Sequence, residues 1–129
     1  MPYQHVVVPS EGERVTASNG KLNVPDNPIL LFIEGDGIGY DIMTASKRIW
    51  DAAVEKAFHG NRKISWMEVY AGEKAAGIYD GNYMPEETFD ALRDYLAATP
   101  CELSHQQMED LSLLSIRKET AFTVVGDES

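Results

Sequence analysis

Ile29-Leu30-Leu31-Phe32-Ile33-Glu34-Gly35-Asp36-Gly37-Ile38-Gly39 is the stretch whose reading decides the fold. Five consecutive apolar residues suit a strand covered on both faces. The glycines directly behind them suit a tight turn in which positive φ angles are tolerated. Residues 41–58 then place Ile42, Ala45, Ile49, Ala53 and Ala57 on one helical stripe, widened by Trp50 and Val54. His59-Gly60-Asn61 stops that helix, with Gly60 as the expected left-handed cap. Residues 64–70 present Ile64, Trp66 and, past Met67, Val69, which reads as a second strand. Strand, glycine turn, helix, strand is a βαβ unit. The expected fold is α/β: a small, mostly parallel sheet flanked by helices.

Upstream of this unit, Val6-Val7-Val8 reads as a short strand ended by Pro9. Residues 14–18 and 21–24 flank Asn19-Gly20, the pair that best fits a two-residue hairpin turn, so an N-terminal β-hairpin is expected. Pro25 and Pro28 break regular pairing. Downstream, residues 73–79 read as a short helix. Pro85-Glu86-Glu87 opens another, with acids at the positive end of its dipole and Phe89, Leu92, Tyr95 and Leu96 facing inward. Ser104 and Gln107 form a capping box for a last helix to Lys118, whose apolar side is Met108, Leu111 and Leu114. Residues 121–125 close as a strand. The whole chain, 1–129, reads as one domain.

With 129 residues, 43% hydrophobic and 25% charged, the composition is that of a globular chain with a modest core. No window approaches a membrane span, and residues 1–5 lack the basic and apolar regions of a signal peptide, so a cytoplasmic location is expected. The single cysteine, Cys101, excludes an internal disulfide framework. Net charge is −10, and it is lopsided: residues 1–63 hold 8 acids and 7 bases, residues 64–129 hold 13 acids and 4 bases. Such a field repels phosphate backbones and favours basic partners, so direct nucleic-acid binding is not expected.

The glycine turn is not the dinucleotide fingerprint, whose third glycine falls three residues after the second. Taken with its neighbours it nevertheless belongs to a recognisable set. Residues 28–39, then Asp51-Ala52-Ala53-Val54-Glu55-Lys56-Ala57, then residues 62–74 from Arg62-Lys63-Ile64-Ser65-Trp66 to Gly72-Glu73-Lys74, fall in order at characteristic spacing. Gly20-Lys21-Leu22-Asn23-Val24-Pro25 and Met84-Pro85-Glu86-Glu87-Thr88 complete the set. Over residues 1–98 the chain closely resembles the start of the bacterial NADP-dependent isocitrate dehydrogenases. The resemblance implies part of the large domain of a decarboxylating dehydrogenase, with NADP and Mg²⁺ or Mn²⁺ as family cofactors.

Residues 99–129 diverge from that pattern. The family continues into a Lys-Gly-Pro-Leu-Thr-Thr-Pro loop beside the nicotinamide and then a Ser-x-Asn-x-x-x-Arg set that holds substrate carboxylates. Here residues 99–107 lack the lysine, the paired threonines and the glycines, and only Ser112 and Arg117 fall near the family's serine and arginine. The family's metal-binding aspartates and its proton-handling tyrosine and lysine have no counterpart in the sequence.

Oxidative decarboxylation of isocitrate needs a divalent cation, a general base and acid, and cationic clamps on three carboxylates. The sequence therefore predicts no catalytic residue, no metal ligand and no cofactor for the isolated chain. His5, His59 and His105 are scattered. Glu102, His105 and Glu109 share a helical face that could hold a divalent ion, or simply be solvated. Cys101 has no cationic neighbour to stabilise a thiolate. Asp36 could meet a ligand or hydrogen-bond turn amides. The leading expectation is a truncated pseudoenzyme, a non-catalytic protein-binding or regulatory module. It would act as an inhibitor or decoy of a basic, nucleic-acid-binding protein through an acidic surface of Glu86, Glu87, Asp90, Asp94, Glu102, Glu109 and Asp110. Self-association is a further option. The competing expectation is a fragment or subunit of an NADP-dependent isocitrate dehydrogenase that gains activity with a second polypeptide.

Overall fold

The computed structural model describes residues 3–100 and 121–122. In chain order the elements are β1 (Glu13–Arg14), β2 (Thr16–Ser18), β3 (Lys21–Asn23), β4 (Pro28–Ile33), α1 (Gly39–Phe58), β5 (Ser65–Glu68), α2 (Glu73–Ile78), α3 (Glu86–Tyr95), β6 (Ala97–Pro100) and β7 (Ala121–Phe122). The expected last helix, with Ser104, Ser112, Arg117 and the acids Glu102, Glu109 and Asp110, lies outside the described residues, as does the end of the strand expected over 121–125.

β4 is the centre of a parallel sheet. One of its sides pairs with β5, from Ile29 opposite Ser65 to Phe32 opposite Glu68. The other side is shared: β1 pairs with its first residues, Pro28 and Ile29, and β6 with its last, Leu31 to Ile33. β7 continues the sheet beyond β6, also in parallel. Pro28 does not break this pairing, because a proline is tolerated as the first residue of a strand. Ile29, Leu31 and Ile33 point to one face and pack with Met67, Val69, Ala91, Leu92 and Tyr95. Phe32 points to the other and packs with Met43, Trp50 and Trp66. α3 thus covers one face and α1 the opposite one, as the continuous apolar run requires.

The hairpin forms as expected: Thr16↔Asn23 and Ser18↔Lys21 pair across Asn19-Gly20, both at positive φ (51° and 74°). Its first arm is shorter than the sequence suggests. Glu13 and Arg14 join the main sheet, and the chain changes partner at buried Val15.

Six local expectations need correcting. Val6–Val8 forms no strand; Val6 is buried in the core while Val7 and Val8 are exposed. In α1 the predicted stripe is on the wrong side, since Ile42, Ala45, Ile49, Ala53 and Ala57 are exposed whereas Met43 is 1% exposed and Trp50 and Val54 are half-buried. The left-handed residue that ends α1 is His59, with Gly60 following it in the same region. In β5 the deeply buried positions are Ser65 and Met67, followed by Val69; Ser65 is hydrogen-bonded to the Asn27 side-chain amide. The inner face of α3 is Thr88, Ala91, Leu92 and Tyr95, with Phe89 at its margin and Leu96 in the helix cap. Pro85 caps α3 rather than opening its first turn.

Candidate functional site

In open α/β sheets, ligands meet the chain beyond the carboxyl ends of the strands. Here that edge is built by the glycine turn after β4 and the Tyr70-Ala71-Gly72 turn after β5. Gly35 and Gly37 take positive φ (74° and 60°), which lets the chain reverse from β4 into α1; the Gly39 amide donates to the Asp36 carbonyl at 3.0 Å. The Asp36 carboxylate does not turn back onto its own loop. Its Oδ1 accepts from the Glu73 amide at 2.7 Å, at the start of α2.

This contact ties the two turns together and constrains Gly72. At φ +82° its backbone lies so close to Asp36 that a Cβ there would fall 2.3 Å from Oδ1. The Gly72 amide donates to the Tyr83 carbonyl at 2.8 Å, and the Thr88 hydroxyl donates to the Tyr70 carbonyl at 2.6 Å, so α3 holds the same turn from behind.

Beside this lock sits an ion cluster. The Lys74 ammonium donates to Glu34 Oε2 at 2.9 Å and to the Glu68 carboxylate, bridging the residue after β4 and the last residue of β5. Glu34 is nearly buried and Glu68 half-buried, so the pairing offsets the cost of desolvating two carboxylates. Burial alone pulls the Lys74 pKa down, and the hydrogen bonds to Glu68 and Glu34 more than reverse it, leaving the ammonium above its ordinary range. Burial, with the Glu68 charge beside it, pushes the Tyr70 hydroxyl up as well. Glu34 and Glu68 converge as a cation site would, but a resident ammonium already lies between them. Among the described residues there is no group of three His, Cys, Asp or Glu side chains that could hold a metal ion.

The four described members of the predicted acidic surface lie on α3, and each is engaged. Glu87 accepts from the Tyr79 hydroxyl and from the backbone amides of Gln4 and His5. Asp94 accepts from the Tyr3 hydroxyl at 2.5 Å. Glu86 and Asp90 share Arg93, at 3.2 and 2.8 Å. Burial opposes ionisation of Glu87, but the Tyr79 hydroxyl and the two amides hold its carboxyl below the ordinary range. Burial and these same carboxylates push the Tyr79 and Tyr3 hydroxyls far above the ordinary phenol range. α3 therefore straps residues 3–6 onto the fold.

His5 stacks edge-on against Tyr79 at 4.7 Å, and His59 lies at the far end of α1. Cys101 and His105 lie outside the described residues. Sequence reasoning singled out Asp36 and missed Glu34, Glu68 and Lys74. The available signal was that Glu34 and Glu68 end adjacent parallel strands, which places them side by side. Among the described residues no helix is long and apolar enough to cross a membrane.

Comparison with known proteins bears on what this edge serves. The profile of the isocitrate/isopropylmalate dehydrogenase family matches residues 29–124. The chain is 55% identical over 97 residues to an "Isocitrate dehydrogenase [NADP]" of Coxiella burnetii, covering 74% of this chain and 23% of that protein. The like-named protein of Pseudomonas aeruginosa is 54% identical over 100 residues (76% of this chain, 24% of that one). That of Archaeoglobus fulgidus is 45% identical over 98 residues (76% and 23%). The chain thus spans about a quarter of the length of the relatives it matches.

Proposed function

Because the chain belongs to the isocitrate/isopropylmalate dehydrogenase family, we propose that it supplies the opening β-α-β framework of an NADP-linked isocitrate dehydrogenase, with turnover requiring a second polypeptide. The observation that carries this reading is the 55% identity to the Coxiella burnetii protein over 97 residues of the chain.

Chemistry explains the need for a partner. A tricarboxylate must be held by cations, and removal of a carboxylate needs the electrons of the breaking bond to be received, a task a bound divalent ion performs by polarising the adjacent oxygen. At the described edge the cation is Lys74, and it is committed to Glu34 and Glu68. Neither a divalent ion nor a pyrophosphate is fitted by the described residues: Lys74 stands between the converging carboxylates, and Asp36 is turned toward α2. What this chain contributes is a rigid floor. The Asp36–Glu73 contact and the Glu34–Lys74–Glu68 cluster fix the relative position of the two turns on which a substrate-bearing segment would rest.

The test is complementation. The purified chain is mixed with the Coxiella burnetii relative lacking its own corresponding quarter, and isocitrate- and Mg²⁺-dependent NADPH formation is followed. We expect silence from each polypeptide alone and activity from the mixture. Turnover by this chain alone, or a silent mixture whose components nevertheless associate, would contradict the proposal. The alternative reading, an acidic module that receives a basic protein, has to contend with α3 carboxylates already paired to Arg93, Tyr3, Tyr79 and the amides of Gln4 and His5. Salt-sensitive capture of a purified basic protein that is weakened by Glu86→Gln and Asp90→Asn would favour it.

A further inference from the structure

Three places in the chain set an Asn or Asp directly before a glycine: Asn19-Gly20, Asp36-Gly37 and Asp80-Gly81. In such a pair the glycine amide nitrogen can attack the preceding side-chain carbonyl carbon, because the reaction is intramolecular and no Cβ crowds the nitrogen. The fold disarms two of the three. Asp36 Oδ1 accepts from the Glu73 amide at 2.7 Å and lies against Gly72. The Gly81 amide, the nitrogen that would attack Asp80, donates to the Ala76 carbonyl at 2.8 Å. Asn19 and Gly20 are both exposed. Among the described residues no hydrogen bond engages the Asn19 side chain, and the Gly20 amide stands outside the β2–β3 ladder with no turn carbonyl to receive it. We propose that Asn19-Gly20 is a site of spontaneous self-modification, at which the Asn19 amide passes through a cyclic imide to aspartate and isoaspartate.

The Gly20 nitrogen bonds to Asn19 Cγ, the Cγ–Nδ2 bond breaks, and Nδ2 leaves as ammonia with the proton that Gly20 gives up. Water then opens the imide at either carbonyl. Opening at the side-chain carbonyl restores the ordinary backbone with aspartate, whereas opening at the main-chain carbonyl routes the backbone through Cγ and leaves isoaspartate. Nothing is oxidised or reduced, and water is the sole co-reactant. Either product replaces a neutral amide by a carboxylate and takes the net charge from −10 to −11.

Ring closure needs Asn19 to leave the left-handed conformation, φ 51°, in which the turn holds it. The hairpin permits this. β2 and β3 pair only with each other and every residue of both is exposed. A two-stranded ribbon without further support is marginally stable, so its tip opens at little cost. The other four asparagines lack this combination. Asn23 precedes β-branched Val24 and donates to Ser18 Oγ at 3.1 Å, and Asn27 precedes Pro28, which has no N–H. Asn61 and Asn82 precede Arg62 and Tyr83, whose side chains crowd the nitrogen, and Asn82 Oδ1 accepts from the Met84 amide at 3.0 Å.

Ageing the full chain at neutral pH and physiological temperature, followed by peptide mapping with fragmentation that separates isoaspartate from aspartate, tests this. Expected is an amide-to-acid mass change at Asn19 ahead of every other asparagine, with both products formed. Gly20→Ala should slow it by about tenfold or more. Because alanine at φ 74° also strains the turn, the parent chain is aged in urea as a second measurement. Unfolding should speed rearrangement at Asp36 and Asp80 by about tenfold or more, and that at Asn19 by less than about tenfold. Another asparagine reacting first, aspartate without isoaspartate at position 19, Gly20→Ala reacting at the parental rate, or folding that protects Asn19 as strongly as the two aspartates overturns the proposal.

Discussion

Asp36 and Gly72 are 36 positions apart in sequence, yet the carboxylate of one fills the space where the other would carry a side chain. Gly72→Ala must therefore shift Asp36 and hold alanine at φ +82°; we expect a loss of about 2–3 kcal/mol in urea unfolding. Asp36→Ala should cost about 1–2 kcal/mol by leaving the Glu73 amide without its acceptor. In the double variant the obstruction is gone, so the two losses should sum to more than the measured total. Glu87 makes a second prediction at this scale. Its pKa is lowered in the fold, so its contribution is fully present above the ordinary carboxylate range and disappears as pH falls through the folded value. Glu87→Gln should lower stability by about 2 kcal/mol at neutral pH and flatten the acid limb of the stability profile. Of these residues the sequence exposed only the glycine turn and Asp36. Glu87 looked like a helix-dipole acid, and nothing local announced that Tyr79 and the amides of Gln4 and His5 would claim it.

Among the elements, α1 shows how a correct helix can be read with the wrong side in. Ile42, Ala45, Ile49 and Ala53 keep regular helical spacing, so pattern alone favours them. The face on β4 and β5 uses Trp50, which the pattern placed only at the margin beside half-buried Val54, together with Met43 and the Lys47 ammonium over the Phe32 ring, and a lysine is discounted when apolar positions are counted. Truncation separates the two faces. At low protein concentration Met43→Ala should cost about 3 kcal/mol, and Ile49→Ala should stay within about 0.5 kcal/mol of the parent in thermal or urea unfolding. β5 shows the same effect at period two. Ser65 occupies a buried position because Asn27 satisfies its hydroxyl, whereas an apolar pattern hands that place to Ile64 or Trp66. Val6–Val8 joins no strand ladder; the Glu87 carboxylate of α3 holds the amides of Gln4 and His5 just ahead of it.

For the molecule as a whole, β4 is paired along both sides and covered on both faces, whereas β2 and β3 pair only with each other and are exposed throughout. Native-state hydrogen exchange should therefore be slowest at the amides of Leu31 to Ile33 and fast across the hairpin, with rates differing by orders of magnitude. Comparable protection in both regions would contradict the described core. The parallel architecture was legible because one apolar run, one glycine turn and one helix already dictate it. The divided edge of β4, shared by β1 and β6, was not, since it depends on where distant segments come to rest. The hairpin has a practical use. At its tip Gly20 has nothing within 4 Å of where a Cβ would stand. An epitope or fluorescent label spliced between Asn19 and Gly20 should ride outside the folded body, reporting on the molecule while leaving its melting temperature almost where it was.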